Sequence, residues 1–291
     1  MRSGFVAVVG RPNVGKSTLV NALVGSKVVI TSPRPQTTRN TVRGVVTIAD
    51  EMQAVLVDTP GLHKPRNALG ERLNRLVYGT LADADAVLFL IDATAPVGPG
   101  DRLIAERLTQ AGAPVVVVVN KIDRAKRGQT LERLAQASEW GFAAYVPVSA
   151  LSHQGLGTLV EEVGRLLPEG PPYFPAGAVT DQPESFLVGE LIREAFLERL
   201  REELPHSLAV EVREIEERNG TVHVDAVLIV ERESQKGIVI GKGGSMIRDA
   251  GSVARAELEK LFGQQVHLAL RAKVEKDWQR RPQLLDRLGF E

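Results

Sequence analysis

The chain has 291 residues and carries 36 Lys or Arg against 36 Asp or Glu, so its formal charge is zero and no global field draws it to nucleic acid or a membrane surface. That length suffices for about two domains, each with its own core. The lack of cysteine excludes disulfides and thiolate metal sites and fits a reducing compartment.

The N-terminus enters an apolar strand at once, with no cleavable signal pattern, and the longest apolar run, near Val115, is far short of a membrane span. A cytoplasmic location is expected. The first predicted strand, Phe5 to Val9, leads into Gly10-Arg-Pro-Asn-Val-Gly-Lys-Ser17 and a predicted helix, Thr18 to Val24. This is the phosphate-loop pattern in the strand-and-helix context it needs. Backbone N–H groups of Gly10, Asn13, Val14, Gly15 and Thr18 form the cradle, Lys16 reaches the β and γ oxygens, and Ser17 offers a hydroxyl to Mg²⁺.

Thr31 to Asn40 is too irregular for a strand and suits a switch loop ordered by γ-phosphate and Mg²⁺. Thr38 is the favoured metal ligand and catalytic contact, with Thr37 as the alternative. Strands are predicted at Thr41 to Ile48 and Ala54 to Val57, and within them Val42 to Ile48 and Met52 to Val57 are separated only by Ala49-Asp50-Glu51, which is too short for a crossover helix and predicts an antiparallel hairpin on a mainly parallel sheet. Asp58-Thr-Pro-Gly61 follows, where Asp58 can hold Mg²⁺ and the Gly61 N–H can meet a γ-phosphate. The next residue is Leu62, where Ras-like enzymes place a glutamine that orients the attacking water, so intrinsic turnover is expected to be slow. His63 reads as a solvated switch residue.

Further strands are predicted at Ala86 to Ile91, Val115 to Val119 and Tyr145 to Val148. Asn120-Lys121-Ile122-Asp123 follows the second of these, and the Asp123 carboxylate can accept from N1–H and the 2-amino group of guanine, which adenine cannot offer. Ser149, Ala150 and Leu151 follow the third, where a backbone N–H can donate to guanine O6. Each motif lies just beyond an apolar strand, where open α/β sheets bind ligands. These residues predict a guanine nucleotide site, for GTP and GDP.

The alternation continues to about Leu167. The division read from the sequence is a GTP-binding domain at 1–168, a proline-rich linker at 169–183 and a second domain at 184–291. The linker prolines prevent a continued helix or sheet and predict a semi-rigid connection. In the second domain an amphipathic helix carries Leu187, Leu191, Ala195 and Leu200 with acidic residues opposite. Strands His206 to Arg218 and Thr221 to Glu231 flank Asn219-Gly220, a hairpin turn signal. Next, Lys236 and a short apolar helix ending at Ile240 precede Gly241-Lys242-Gly243-Gly244, and a helix from Ser245 carries Arg248. A final strand runs from Gln265 to Val274. Glycines that admit an RNA backbone, a lysine and a helix N-terminus match the GxxG loop of a prokaryotic-type KH domain. Residues 182–233 carry net −7 and 234–281 net +5, so the part with the loop is the part suited to phosphates.

The stretches GRPNVGKSTL, PQTTRN, DTPGLH, NKID, SAL and VIGKGG, in this order, resemble the bacterial Era GTPases over essentially the whole chain. The resemblance implies an α/β P-loop GTPase domain followed by an α+β KH domain, acting as a monomer. It further implies GTP hydrolysis with Mg²⁺, binding to the 3′ end of 16S ribosomal RNA, and a role in assembling the small (30S) ribosomal subunit. Partial association with the inner face of the cell membrane is also implied, without support from composition. Asn13 with Thr37-Thr38-Arg39 resembles GTPases in which K⁺ replaces an arginine finger; an Asn13 side chain bonded within its own loop is the other reading. Leu62 leaves open a second function, a GTP-sensing RNA chaperone in which hydrolysis is incidental.

Overall fold

The computed structural model describes residues 1–32, 40–59, 71, 77, 79–200 and 204–288, excluding the side chain at position 206. The expectations placed on Thr37, Thr38, Arg39, Gly61, Leu62 and His63 lie outside the described residues. The chain forms two compact units, one ending at Asp181 and one containing Gln182 onward together with Ile30 and Thr31.

The first unit is built on a six-stranded sheet in the order β2-β3-β1-β4-β5-β6. Its strands are β1 (Arg2–Gly10), β2 (Val42–Ile48), β3 (Met52–Asp58), β4 (Ala86–Asp92), β5 (Val115–Asn120) and β6 (Ala144–Pro147). All neighbours are parallel except β2 and β3, which pair antiparallel from Val42–Asp58 to Ile48–Met52. The expected hairpin is therefore present, and its turn places Asp50 at φ 59°, a left-handed conformation that Asp tolerates. Strands of a parallel sheet are covered on both faces, which is why β5 reads as five consecutive valines, all buried.

Helices α1 (Lys16–Val24), α2 (Pro99–Ala111), α3 (Arg127–Ser138) and α4 (Leu156–Leu166) cover the sheet. Ala7, Val9, Phe89, Ile91, Val117 and Val119 share one cluster with Ile104, Ala105 and Leu108 of α2 and Ala137 of α3. Strand alternation sends their even-numbered neighbours to the opposite face. Pro99 at the first position of α2 suits a site whose N–H has no helical partner, and the Asp101 carboxylate accepts from the Gly98 N–H at 2.9 Å, closing the cap.

The proline-rich segment is anchored on this unit. Gln53, buried in β3, accepts at Oε1 from the Tyr173 and Phe174 N–H groups (2.7 and 2.9 Å) and donates from Nε2 to the Phe174 carbonyl at 3.0 Å. Further on, the Val45 N–H of β2 donates to the Val179 carbonyl at 2.9 Å, and Arg43 pairs with Asp181 at 2.6 Å. Prolines bar a regular strand here, but isolated carbonyls between them still accept hydrogen bonds.

The second unit has a three-stranded sheet of β7 (Ala209–Arg218), β8 (Thr221–Val230) and β9 (Gln265–Val274) in that order, β8 antiparallel to β7 and parallel to β9. Asn219 (φ 53°) and Gly220 (φ 73°) form the two-residue turn between β7 and β8, as expected of Asn-Gly. Helices α5 (Glu184–Leu197), α6 (Glu233–Ile240), α7 (Ser245–Phe262) and α8 (Pro282–Arg287) complete it. Val188, Leu191, Ile192, Ala195 and Phe196 of α5 share a core with Ala250, Ala254 and Leu258 of α7 and with Ile30. Glu194 of α5 is buried, and its carboxylate accepts from the Thr31 N–H at 2.8 Å. The strand expected from His206 begins instead at Ala209. Leu204–Ser207 is a helical turn, because Pro205 supplies no ladder N–H and suits a first helical turn. The Ser207 carbonyl accepts from the buried Trp278 Nε1 at 2.9 Å.

Candidate functional site

Four strand ends of the first unit converge on one group of loops. After β1, the chain from Gly10 to Ser17 turns through left-handed conformations at Asn13 (φ 65°) and Gly15 (φ 100°) before α1 begins. Glycine is required at position 15, because a Cβ there would stand 2.3 Å from Nδ2 of Asn120. Lys16, 7% exposed, donates to the carbonyls of Gly10 and Arg11 at 3.4 and 3.3 Å. Burial holds the Lys16 ammonium pKa below its ordinary value, and the Asp58 carboxylate opposes that shift only in part. A buried lysine so placed gains most from an anion that replaces the lost hydration.

The Ser17 hydroxyl donates to Asp58 at 2.8 Å, and Asp58 is fully buried at the end of β3. A hydroxyl and a carboxylate side by side next to a buried cation are hard oxygen donors, which is the ligand chemistry of Mg²⁺. Thr59 next to them donates to the Val8 carbonyl at 2.9 Å and ties this loop back to β1.

Asn120, at the end of β5 and 2% exposed, joins three loops. Its Nδ2 donates to the Val14 carbonyl at 2.9 Å and its Oδ1 accepts from the Ala150 N–H at 3.0 Å. The Ser149 hydroxyl donates to Asp123 at 2.6 Å, and the Ser149 N–H donates to the Gln154 carbonyl at 3.0 Å, fixing the loop after β6. Ala150 is buried while Leu151 stands 62% exposed beside it. Lys121 (φ 67°) donates from Nζ to the Asn13 carbonyl and to Asp92, both at 2.6 Å. Gly10, Asn13, Val14, Gly15, Lys16, Ser17, Thr18, Asp58, Asn120, Lys121, Asp123, Ser149, Ala150 and Leu151 thus all lie on these four loops or the helix turn they lead into.

Asp92 and its neighbour Thr94 belong to the same network and carry no motif. Their signal in the sequence is positional: Asp92 ends an apolar strand, where a carboxylate lies at the ligand-binding edge of an open α/β sheet.

In the second unit Gly241, Gly243 and Gly244 have φ of 78°, 60° and 77°, which lets the chain turn sharply between α6 and α7. A Cβ on Gly241 would sit 2.6 Å from the Met246 nitrogen, whereas Gly243 faces open space. Lys242 and Arg248 are exposed, and Arg248 donates to the Gly243 carbonyl at 3.2 Å. Lys236 and Ile240 are half-buried, while Val239 between them is part of the core. The loop is thereby an exposed, basic turn at the head of an 18-residue helix.

Comparison with known proteins agrees with this geometry. A family model described as a 50S ribosome-binding GTPase matches residues 5–121, and one described as a KH domain matches residues 203–279. GTPase Era of Mycobacterium avium (strain 104) is 52% identical, and GTPase Era of Mycobacterium sp. (strain KMS) 53%, each alignment covering 99% of both chains. Among solved structures, a point variant of Aquifex aeolicus Era bound to GDP.AlF4- superposes with a TM-score of 0.96 at 39% identity, over 100% of this chain and 99% of that one. Era in complex with MgGDPNP and nucleotides 1506–1542 of 16S ribosomal RNA superposes with a TM-score of 0.95 at the same identity and coverage. With a P-loop GTPase fold on a mostly parallel sheet, a KH fold after it, and relatives alike from end to end, the chain belongs to the Era family of GTPases.

Proposed function

We propose that this GTPase is a nucleotide-controlled switch that binds the 3′ end of 16S ribosomal RNA and acts in assembly and maturation of the small ribosomal subunit. Residues 1–168 handle the nucleotide, 184–291 bind RNA, and 169–183 connect them. Asp123 and a backbone N–H of the loop after β6 read guanine; Lys16 and the backbone of Gly10 to Ser17 hold the phosphates. Ser17, Asp58 and Thr38 hold Mg²⁺, which supplies charge neutralisation on the β and γ oxygens. The Gly61 N–H meets the γ-phosphate, and Asn13 helps to hold K⁺. Lys236, Ile240, Gly241 to Gly244 and Arg248 receive about four single-stranded nucleotides through their backbone. The reading places the protein in the cytoplasm as a monomer, with a fraction at the inner face of the cell membrane.

The observation that carries the nucleotide part is the convergence of four strand-end loops on Asn120 and the buried Lys16. For the RNA part it is the exposed basic GxxG turn, supported by the relative solved with a 16S ribosomal RNA segment. The test is a titration with a short single strand from the 3′ end of 16S ribosomal RNA. Changing Lys242 and Gly243 both to Asp puts two carboxylates where phosphates must lie, at exposed positions away from the core. RNA affinity should collapse while GDP affinity and the melting curve stay near wild type. Undiminished binding by the folded double variant refutes the RNA assignment.

A further inference from the structure

We propose that Asp92 is a positioning residue for nucleotide binding, acting by holding Lys121 against the Asn13 carbonyl of the phosphate loop. The proposal rests on the nucleotide site argued above. Asp92 ends β4 in register with Asn120 at the end of β5. Its Oδ1 accepts from the Thr94 N–H at 2.8 Å and from the Thr94 hydroxyl at 2.6 Å, which fixes the carboxylate's orientation. Its Oδ2 then faces Lys121 Nζ at 2.6 Å.

The same ammonium donates to the Asn13 carbonyl at 2.6 Å. Asn13 has φ 65°, in a region non-glycine residues seldom occupy. Without a fixed partner, a four-carbon lysine stem has many rotamers, and holding one of them costs entropy that binding would have to meet. Asp92 offsets that cost by holding the lysine within the fold itself. The turn that carries Asp92 is itself braced: buried Arg133 donates to the Ala95 carbonyl at 2.8 Å, and the Ala93 N–H donates to the Asn120 carbonyl at 2.8 Å. The result is a tie from β4 through Lys121 to the phosphate loop. Burial alone would raise the Asp92 pKa, but the Lys121 and Thr94 hydrogen bonds outweigh it, and the carboxyl lies below its usual value, so the charge that grips Lys121 is present at neutral pH.

The test is a double-mutant cycle on full-length protein, with affinity read from the fluorescence of methylanthraniloyl-GDP. Failure of the wild type to bind GDP would overturn the nucleotide reading itself, separately from this proposal. Given wild-type binding, Asp92→Asn keeps the shape and the Thr94 contacts, and it should weaken GDP binding about ten-fold, the scale of one charge-assisted hydrogen bond. In a Lys121→Met background the same change should cost less than about two-fold, because its target is gone. Thr94→Val, at an exposed side chain, loosens the carboxylate without removing charge and should weaken binding about three-fold with Lys121 present only; it carries the test if Asp92→Asn does not fold. Unchanged affinity in both variants overturns the proposal. Equal losses with and without Lys121 overturn it too, since a residue that merely stabilised the fold would act alike in both backgrounds.

Discussion

Replacing Asn120 with alanine should destabilise the first unit selectively, and the size of the effect follows from its contacts. The change removes one hydrogen bond to the Val14 carbonyl and one from the Ala150 N–H. Both lie in a region where Asn120 is 2% exposed, so water does not reach the abandoned partners without local opening. A buried group left unsatisfied costs about 1–3 kcal/mol, so two such groups come to on the order of 3 kcal/mol. For a unit of this size each kcal/mol moves the midpoint by about 2–4 °C, which predicts a fall of roughly 6–12 °C. Differential scanning calorimetry without nucleotide reads it, and the transition belonging to the first unit is the one that added GDP raises. Asn120→Asp keeps the acceptor for Ala150 but turns a carboxylate on the Val14 carbonyl, so it should be at least as destabilising. A shift in Asn120→Ala smaller than about 2 °C would mean that the loops are held together without this side chain and would refute the reasoning.

Asp123→Asn should exchange guanine selectivity for xanthine, whose C2 carbonyl suits an amide donor; competition between GTP and xanthosine triphosphate measures it, and a retained GTP preference counts against the assignment. Because burial lowers the Lys16 pKa and phosphates would raise it, GDP binding should take up protons wherever the lowered lysine is partly neutral. Titration calorimetry in two buffers of different ionisation heat, repeated across a pH series, reads this, and Lys16→Met should abolish it. If Asn13 helps to hold a monovalent cation, exchanging K⁺ for Na⁺ should slow hydrolysis strongly in the wild type and much less in Asn13→Ala. Equal rates in both salts would remove the cation from the mechanism.

The parts legible in the sequence are those in which local chemistry and location agree. Each guanine-site motif follows an apolar strand, and such strand ends are brought together by the sheet whatever the helices do. Asn219-Gly220 likewise needs no long-range information, because the turn type demands those conformations. What stayed hidden depends on distant partners. Asp92 is one carboxylate among many until Lys121 is placed beside it. The helical turn at Leu204–Ser207 alternates like a strand, and only the structure shows Pro205 and the Trp278 contact deciding otherwise. Gln53 interrupts an apolar strand for a segment 120 residues away, and nothing nearby in the chain announces it.

That segment matters for self-association. β2 is the outer strand of the six-stranded sheet, and a bare outer strand offers unpaired N–H and C=O groups to any other chain with the same habit. The stretch from Val179 to Asp181 occupies part of that rim: the Val179 carbonyl takes the Val45 N–H, Thr180 bridges to Gly44, and Asp181 pairs with Arg43. On the far side, β6 is only four residues long and ends at Pro147, while β7 in the other unit carries Glu211, Glu214, Glu216 and Glu217 along its length. The same connecting segment that joins the two units therefore also shields a sheet rim against fibrous growth, a protection that loosening it from β2 would remove.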